Sequence, residues 1–195
     1  TRLLAAMHFT VRGTPYMYYG EEIGMRDITL LPTELQDPVG KRYWPFNKGR
    51  DGCRSPMQWD ASAFAGFSAR KPWIKVHPNY PKRNVAAQVE DPASLLNFYR
   101  ELIALRRASP ALSRGKIDLL PLYNQNLLVY QRAAKHEKLL VVLNFGSKPE
   151  QYPLPILENG RWGLIFAGNL PEKSQINGAT LHLPAFGFGI LKKQV

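Results

Sequence analysis

The chain has 195 residues, 45% of them hydrophobic and 11% aromatic, which excludes disordered and fibrous classes and suffices for a core in one or two domains. Its formal net charge of +11 raises nucleic acid as a partner, but the lysines and arginines are scattered, and the densest patch, Arg70 to Arg83, is broken by Pro72, Pro78 and Pro81 with no nucleic-acid motif beside it, so none is expected. The single cysteine, Cys53, excludes an internal disulfide and a cysteine metal cluster, and no run of about 18 or more apolar residues offers a membrane span.

The sequence opens at Thr1, without a methionine, inside an apolar pattern typical of the middle of a helix, so a fragment of a longer protein is expected. No leader precedes a cleavage site, and a cytoplasmic location is expected unless a signal lies upstream. Leu3, Leu4, Met7 and Val11 recur at helical spacing and the pattern stops at Gly13. Thr14 to Tyr19, closed by Gly20, reads as a buried strand, giving the helix–turn–strand order of an alternating α/β fold. Glu21 and Glu22 follow at the C-terminal end of that strand, the face on which ligands bind in such folds. At least one of them is expected to be a buried structural carboxylate holding loop amides.

From there to Pro92 no long periodic element is visible, and prolines, glycines and asparagines punctuate the chain. So long an irregular segment is uncommon in a compact domain unless it is functional, so a large decoration on the ligand-facing end of the strand is expected. Tyr43, Trp44, Phe46, Trp59, Phe64, Phe67, Trp73 and Tyr80 anchor it, and some can offer flat faces to sugar rings. Its centre is Gly49 to Asp60, where two glycines and a proline set sharp backbone direction while Arg50, Asp51, Arg54 and Asp60 supply fixed charge and planar hydrogen-bonding groups. On these residues alone the segment is either a shaped polar loop lining a site or a solvated surface loop anchored by Trp59.

Asp91 and Pro92 then open the clearest helix, as N-cap and first helical residue, with a wide apolar face from Leu95 to Leu105 and Arg106 and Arg107 at the end that favours cations. Pro110 and Gly115 finish it, and a first domain, residues 1–112, is expected to close there. The period then shortens. Ile117 to Leu122, Leu127 to Arg132, Leu139 to Phe145, Gly163 to Phe166, Thr180 to Leu183 and Phe188 to Lys192 are short runs separated by turn residues, so residues 113–195 are expected to form a small antiparallel β-sandwich of six or seven strands. His136 and His182 read as ordinary surface or edge residues. With no metal-ligand spacing anywhere, neither metal nor cofactor is expected.

Gly13-Thr-Pro-Tyr-Met-Tyr-Tyr-Gly-Glu-Glu-Ile-Gly-Met25, followed by Gly49-Arg-Asp-Gly-Cys-Arg-Ser-Pro-Met-Gln-Trp-Asp60, resembles the C-terminal part of the α-amylase family of glycoside hydrolases, in its α-glucosidase and oligo-1,6-glucosidase subgroup. Ala65-Gly-Phe67, Lys71-Pro-Trp73, Val76-His-Pro-Asn-Tyr80 and Leu105-Arg-Arg107 continue the match over essentially the whole chain. Gly52-Cys53 and Ser55 depart from the commonest Asn-Ala and Thr of that loop and leave both arginines in place. The resemblance implies a (β/α)8 barrel followed by a β-sandwich, with Leu3 to Val11 as the seventh barrel helix, Thr14 to Tyr19 as the eighth strand and Leu95 to Arg107 as the eighth helix.

It also implies a retaining mechanism, in which two carboxylates about 5 Å apart act as nucleophile and acid/base. The family's catalytic acids come from earlier strands and would lie upstream of Thr1, so the chain by itself is expected to be inactive. Glu21 and Glu22 are not that pair, since adjacent side chains diverge. By resemblance Arg54 reaches the pocket of the terminal glucose and pairs with an upstream aspartate, while Arg50, Asp51 and Asp60 are further substrate-binding candidates or loop-internal ion pairs. The implied partners are an α-glucoside oligosaccharide and the missing N-terminal part of the same barrel. A glucosyl transferase or isomerase of the trehalose synthase or sucrose isomerase type, and a non-catalytic barrel associated with an amino-acid transporter, are the alternatives.

Overall fold

The computed structural model describes residues 1–121, 124–168, 176–177 and 179–194. Its helices are α1 (Arg2–Thr10), α2 (Pro38–Tyr43), α3 (Val85–Val89), α4 (Leu95–Ala108) and α5 (Pro110–Arg114). Its strands are β1 (Lys116–Leu119), β2 (Leu127–Ala134), β3 (Glu137–Asn144), β4 (Glu150–Pro153), β5 (Arg161–Gly168), β6 (Ile176–Asn177), β7 (Thr180–Leu183) and β8 (Phe188–Gln194). By contact the chain divides into two compact units, one of Thr1–Pro15 with Glu101–Val195 and one of Tyr16–Arg100.

The first unit is built on two antiparallel sheets, of order β1-β2-β3-β8-β5 and β4-β7-β6. Alternate residues of the larger sheet, Leu127 and Val129 on β2, Leu140 and Val142 on β3 and Leu191 on β8, pack against Tyr152, Leu181 and Leu183 of the smaller one. That is the antiparallel sandwich expected from the spacing of the short runs. β3 breaks the usual alternation, being buried without interruption from Leu139 to Asn144. The reason lies on its other face, where α1 and α5 pack against β2 and β3, so this central strand has no solvent side.

Buried polar groups fasten that helical layer. Arg132 on β2 is fully buried and donates from Nε to Lys116 O at 3.2 Å, from one terminal nitrogen to Thr10 O, and from the other to Leu112 O and Gly115 O at 3.0 Å each. One planar fork thereby satisfies the open carbonyl ends of α1 and α5. Arg106 on α4 does the same for the chain leaving α1, donating to Phe9 O at 2.6 Å, Val11 O at 3.2 Å and Gly13 O at 2.5 Å. Neither guanidinium pairs with a carboxylate among the described residues, and burial pulls both below their usual pKa. Gly115 closes α5 where nothing larger fits, since a Cβ would stand 2.4 Å from Ala111 O and 2.5 Å from Ala133 O.

Several boundaries differ from the sequence expectation. Thr14 to Tyr19 is not a strand: no pairing forms, and Tyr16, Met17, Tyr18 and Tyr19 are exposed. A parallel barrel strand is defined by its neighbours, and among the described residues none lies beside it. The buried residues of α1 are Leu3, Ala5, Ala6, Phe9 and Thr10, with Leu4 exposed. α4 begins three residues beyond the expected start, capped by Ser94, whose Oγ accepts from Asn97 N at 3.1 Å, while Asp91 closes a turn on Ala93 N. Pro110 opens α5 instead of ending α4, behind the cap Ser109. β4, which contains Pro153, and the two-residue β6 escaped detection for want of a β-branched run, and Leu122, expected at the end of the first strand, lies outside the described residues.

Two outcomes follow. Replacing Arg132 with Leu strands three buried carbonyls, those of Thr10, Leu112 and Gly115, each costing about 1–3 kcal/mol when unsatisfied, so the urea midpoint should fall by the equivalent of about 3 kcal/mol or more. Glu137 accepts from Ser109 Oγ at 2.6 Å, Ala111 N at 2.9 Å and Lys192 Nζ at 2.9 Å. Burial alone raises its pKa, but these donors outweigh it and hold the carboxyl below its ordinary value of 4.5. A depressed folded value means that the stabilisation is present above pH 4.5 and is lost as pH falls through the folded pKa. Thermal melts of Glu137→Gln should therefore lose less stability than the parent protein on acidification across that window.

Candidate functional site

The second unit, residues 16–100, is ordered less by regular structure than by side chains that hold backbone. Asp37 caps α2 with Pro38 in the first helical position, and its Oδ1 accepts from Val39 N at 2.9 Å. Its Oδ2 accepts from Arg50 N at 3.0 Å and stands 3.7 Å from Arg50 Nε and 3.9 Å from the nearer terminal nitrogen of Arg54. The amides of Arg50 and Val39, aided by the two guanidinium groups, keep the Asp37 carboxyl below its usual pKa against the opposing effect of desolvation. Fourteen residues on, Asp51 returns the arrangement: its Oδ2 accepts from Gln36 N at 2.6 Å and Asp37 N at 2.7 Å. Gly49 permits this closeness, having a φ of +66° and a Cβ position 2.9 Å from the Asp37 Cβ.

Asp51 opens a short 3-10 turn, Asp51–Arg54, whose far end is held by Tyr19. The Tyr19 hydroxyl contacts Ser55 O at 2.9 Å and Cys53 O at 3.3 Å, the carbonyls on either side of Arg54. Arg54 then projects, about a third exposed, into the wall of a cavity of about 370 Å3 that also takes in Glu22, Trp59, Phe67 and Trp73. The aromatic members are open to solvent, Trp73 being 68% exposed, Trp59 50% and Phe67 49%. Glu22 contributes a buried Oε2 that has no hydrogen-bond partner among the described residues.

The shelf that carries Trp59 and Phe67 has an unusual backbone. Phe64 and Ala65 both lie in the left-handed region, at φ of 53° and 60°, and Ala65 O accepts from Trp59 N at 2.9 Å and Asp60 N at 3.2 Å. Asp60 braces the turn, accepting from Ser62 N at 2.8 Å and Ser62 Oγ at 2.5 Å, and these bonds hold its carboxyl below the ordinary pKa. Left-handed non-glycine residues are costly and persist where surrounding structure fixes them.

The four sequence candidates therefore separate. Arg54 faces the aromatic cavity, and Arg50 faces a different one of about 340 Å3, beside Asp27, Trp44, Lys48 and Cys53. Asp51 is fully buried beneath the turn and lines neither, and Asp60 serves the Ser62 turn. The expectation that Glu21 or Glu22 holds loop amides is not met: Glu21 is exposed and Glu22 keeps an unpartnered oxygen, while Asp37 and Asp51 do that work. Sequence reasoning passed over Asp37, although Asp-Pro before a short helix is the signature of an N-cap. Among the described residues no group of three or more His, Cys, Asp or Glu can hold a metal ion, and no helix is long and apolar enough to cross a membrane.

Residues 1–115 match the family model of the α-amylase catalytic domain, and residues 117–190 match that of the maltogenic amylase C-terminal domain. A probable α-glucosidase of Rhizobium meliloti (strain 1021) is 39% identical over 155 residues, covering 80% of this chain and 28% of the relative. The oligo-1,6-glucosidase of Parageobacillus thermoglucosidasius is 38% identical over 172 residues, covering 79% and 31%. The chain thus spans about three tenths of the length of these curated relatives. Among solved structures, the trehalulose synthase MutB of Pseudomonas mesoacidophila MX-45 superposes with a TM-score of 0.83 at 32% identity, covering 99% of this chain and 38% of that one. The chain belongs to the α-amylase family, joining the last part of that family's catalytic barrel to an antiparallel β-sandwich C-terminal domain.

Proposed function

We propose that the protein to which this chain belongs is a retaining α-glucosidase that releases terminal α-linked glucose from short oligosaccharides, and that Arg54 binds that glucose. The observation that carries the proposal is the placing of one guanidinium on the wall of an aromatic cavity of about 370 Å3, a size suited to a small ligand. A pyranose has one face of C–H bonds that packs on an indole and a rim of hydroxyls that a planar guanidinium can engage in pairs, and Trp59, Trp73 and Arg54 supply both kinds of surface. The α-glucosidase and oligo-1,6-glucosidase relatives support the hydrolase.

In this proposal residues 1–112 end the barrel and residues 113–195 form the accessory domain, with the carboxylates that do the chemistry contributed from elsewhere in the barrel. Asp51 and Asp60 act on the sugar through the shape of the loop, and Arg50 lines the neighbouring cavity. No nucleic acid or membrane partner is invoked. The cytoplasm is the proposed compartment, where the exposed Cys53 thiol would stay reduced.

A second reading, transfer of the glucosyl unit to a sugar acceptor, is favoured by the structural likeness to trehalulose synthase. Assays of the full-length protein on maltose, isomaltose and sucrose separate the two, because hydrolysis releases free glucose from all cleaved substrate whereas isomerisation returns a disaccharide. Arg54→Ala in that protein should lower kcat/KM by about a hundredfold, as expected for loss of a charged hydrogen-bonding partner; near-parental activity would overturn the assignment. The isolated chain should release no glucose.

A further inference from the structure

We propose that Tyr19 is the positioning residue for Arg54, fixing by hydrogen bonds to the carbonyls on either side of it the direction in which the guanidinium enters the cavity. The inference rests on the reading of Arg54 as a sugar-binding residue and names what makes that residue effective.

The turn Asp51–Arg54 is clamped at both ends by different chemistry. At its start, the Asp51 carboxylate takes the amides of Gln36 and Asp37, and the Asp37 carboxylate takes the amide of Arg50. At its finish, among the described residues no carboxylate clamps the backbone of Arg54, and its guanidinium stands at 3.9 Å from Asp37, too far for a hydrogen bond. What fixes this end is the Tyr19 hydroxyl, which lies 2.9 Å from Ser55 O and 3.3 Å from Cys53 O. A phenol has one proton, so the bond to Ser55 is the principal one and that to Cys53 its weaker branch. Together they span the Cα of Arg54 and set the orientation of its side chain.

Two further features suit Tyr19 to this task. Tyr19 lines the same cavity as Arg54, and replacing it with Phe keeps the ring in that wall while removing only the hydroxyl that bonds the carbonyls. Desolvation first, and then neighbouring Tyr18, raises the Tyr19 pKa to about 12, so the phenol remains a donor at any pH at which a glycosidase works. The bond to the carbonyls is thus a fixed element of the site. Removing it frees the backbone at Arg54 without removing any group proposed to bind the sugar, and displacement of a positioned group by about 1 Å costs up to roughly a hundredfold in rate.

The test is a double-mutant cycle in the full-length protein with Tyr19→Phe and Arg54→Ala, which removes one hydroxyl and one side chain. Tyr19→Phe alone should lower kcat/KM about tenfold on the best disaccharide substrate, and in the Arg54→Ala background it should lower it no further. Equal losses in both backgrounds would show that Tyr19 acts independently of Arg54 and overturn the proposal. A second readout stands apart from catalysis: the Arg54 Nε–H resonance in protein labelled with 15N-arginine. Tyr19→Phe should shift that resonance and speed its exchange with water, and an unchanged resonance would overturn the positioning role whatever the kinetics. Should Arg54→Ala prove as active as the parent, the glucose-binding assignment falls, and the resonance alone decides whether Tyr19 positions Arg54.

Discussion

Buried carboxylates holding backbone amides are the constraint on which the unit of residues 16–100 depends. Ordering an irregular chain costs about 1–2 kcal/mol per residue in backbone entropy, and a segment with only short helices has few ladder hydrogen bonds to set against it. Here Asp37 and Asp51 each receive two amides, drawing the start of α2 and the turn before Arg54 onto one another. Charge-assisted bonds of this kind are about twice as strong as neutral ones. Small apolar clusters complete the order: Ile28, Leu30, Leu35 and Ile74 form one, and Ile23, Met57 and Leu96 another. The polar loop is built from the inside by carboxylates, which leaves its arginines and indoles available at the surface.

The unit containing the β-sandwich solves a related problem with the opposite charge. The central strand β3 of its large sheet buries both faces, so the helix ends laid against it expose carbonyls to an apolar layer, and such groups are costly unless bonded. Arg132 and Arg106 reach them from β2 and α4. A guanidinium suits this role because its five donors point in fixed directions within a plane, which no lysine could reproduce. Tyr130 beside Arg132 completes the layer, its hydroxyl 2.5 Å from that of Thr10, and burial raises the Tyr130 pKa to about 12.

The sandwich was legible in the sequence because its period is local: each run from Leu127 to Lys192 shows its strand character in the residues themselves. Thr14 to Tyr19 has the same local character and yet forms no strand here, since pairing is a property of two segments and the composition of one cannot supply it. At the site, Arg54 was legible through its loop motif, whereas of Asp37 only the N-cap role was, because its part in the loop arises from contacts with Arg50 and Asp51 that no local pattern encodes. Arg50, Asp51, Arg54 and Asp60 look equivalent as a string of charges. Only burial and direction divide them into one cavity residue, one neighbour and two braces of the backbone.

The two ends of the turn that presents Arg54 also answer differently to pH. Asp37 keeps its charge to below its ordinary value of 3.8, so its bond to Arg50 N is fully present above that pH and is lost as pH falls through the depressed folded value. Burial pushes the Tyr19 hydroxyl up to about 12, so it stays protonated and is indifferent to acid. On acidification the Asp37 bond to Arg50 N is therefore lost, while the backbone beside Arg54 remains tied to Tyr19. The acid-sensitive bond of Asp37 thus lies at the end of the turn that meets α2, and the bond beside the residue that faces the cavity is made by a neutral phenol, so the two ends of one short turn are tied by groups of different response to protons.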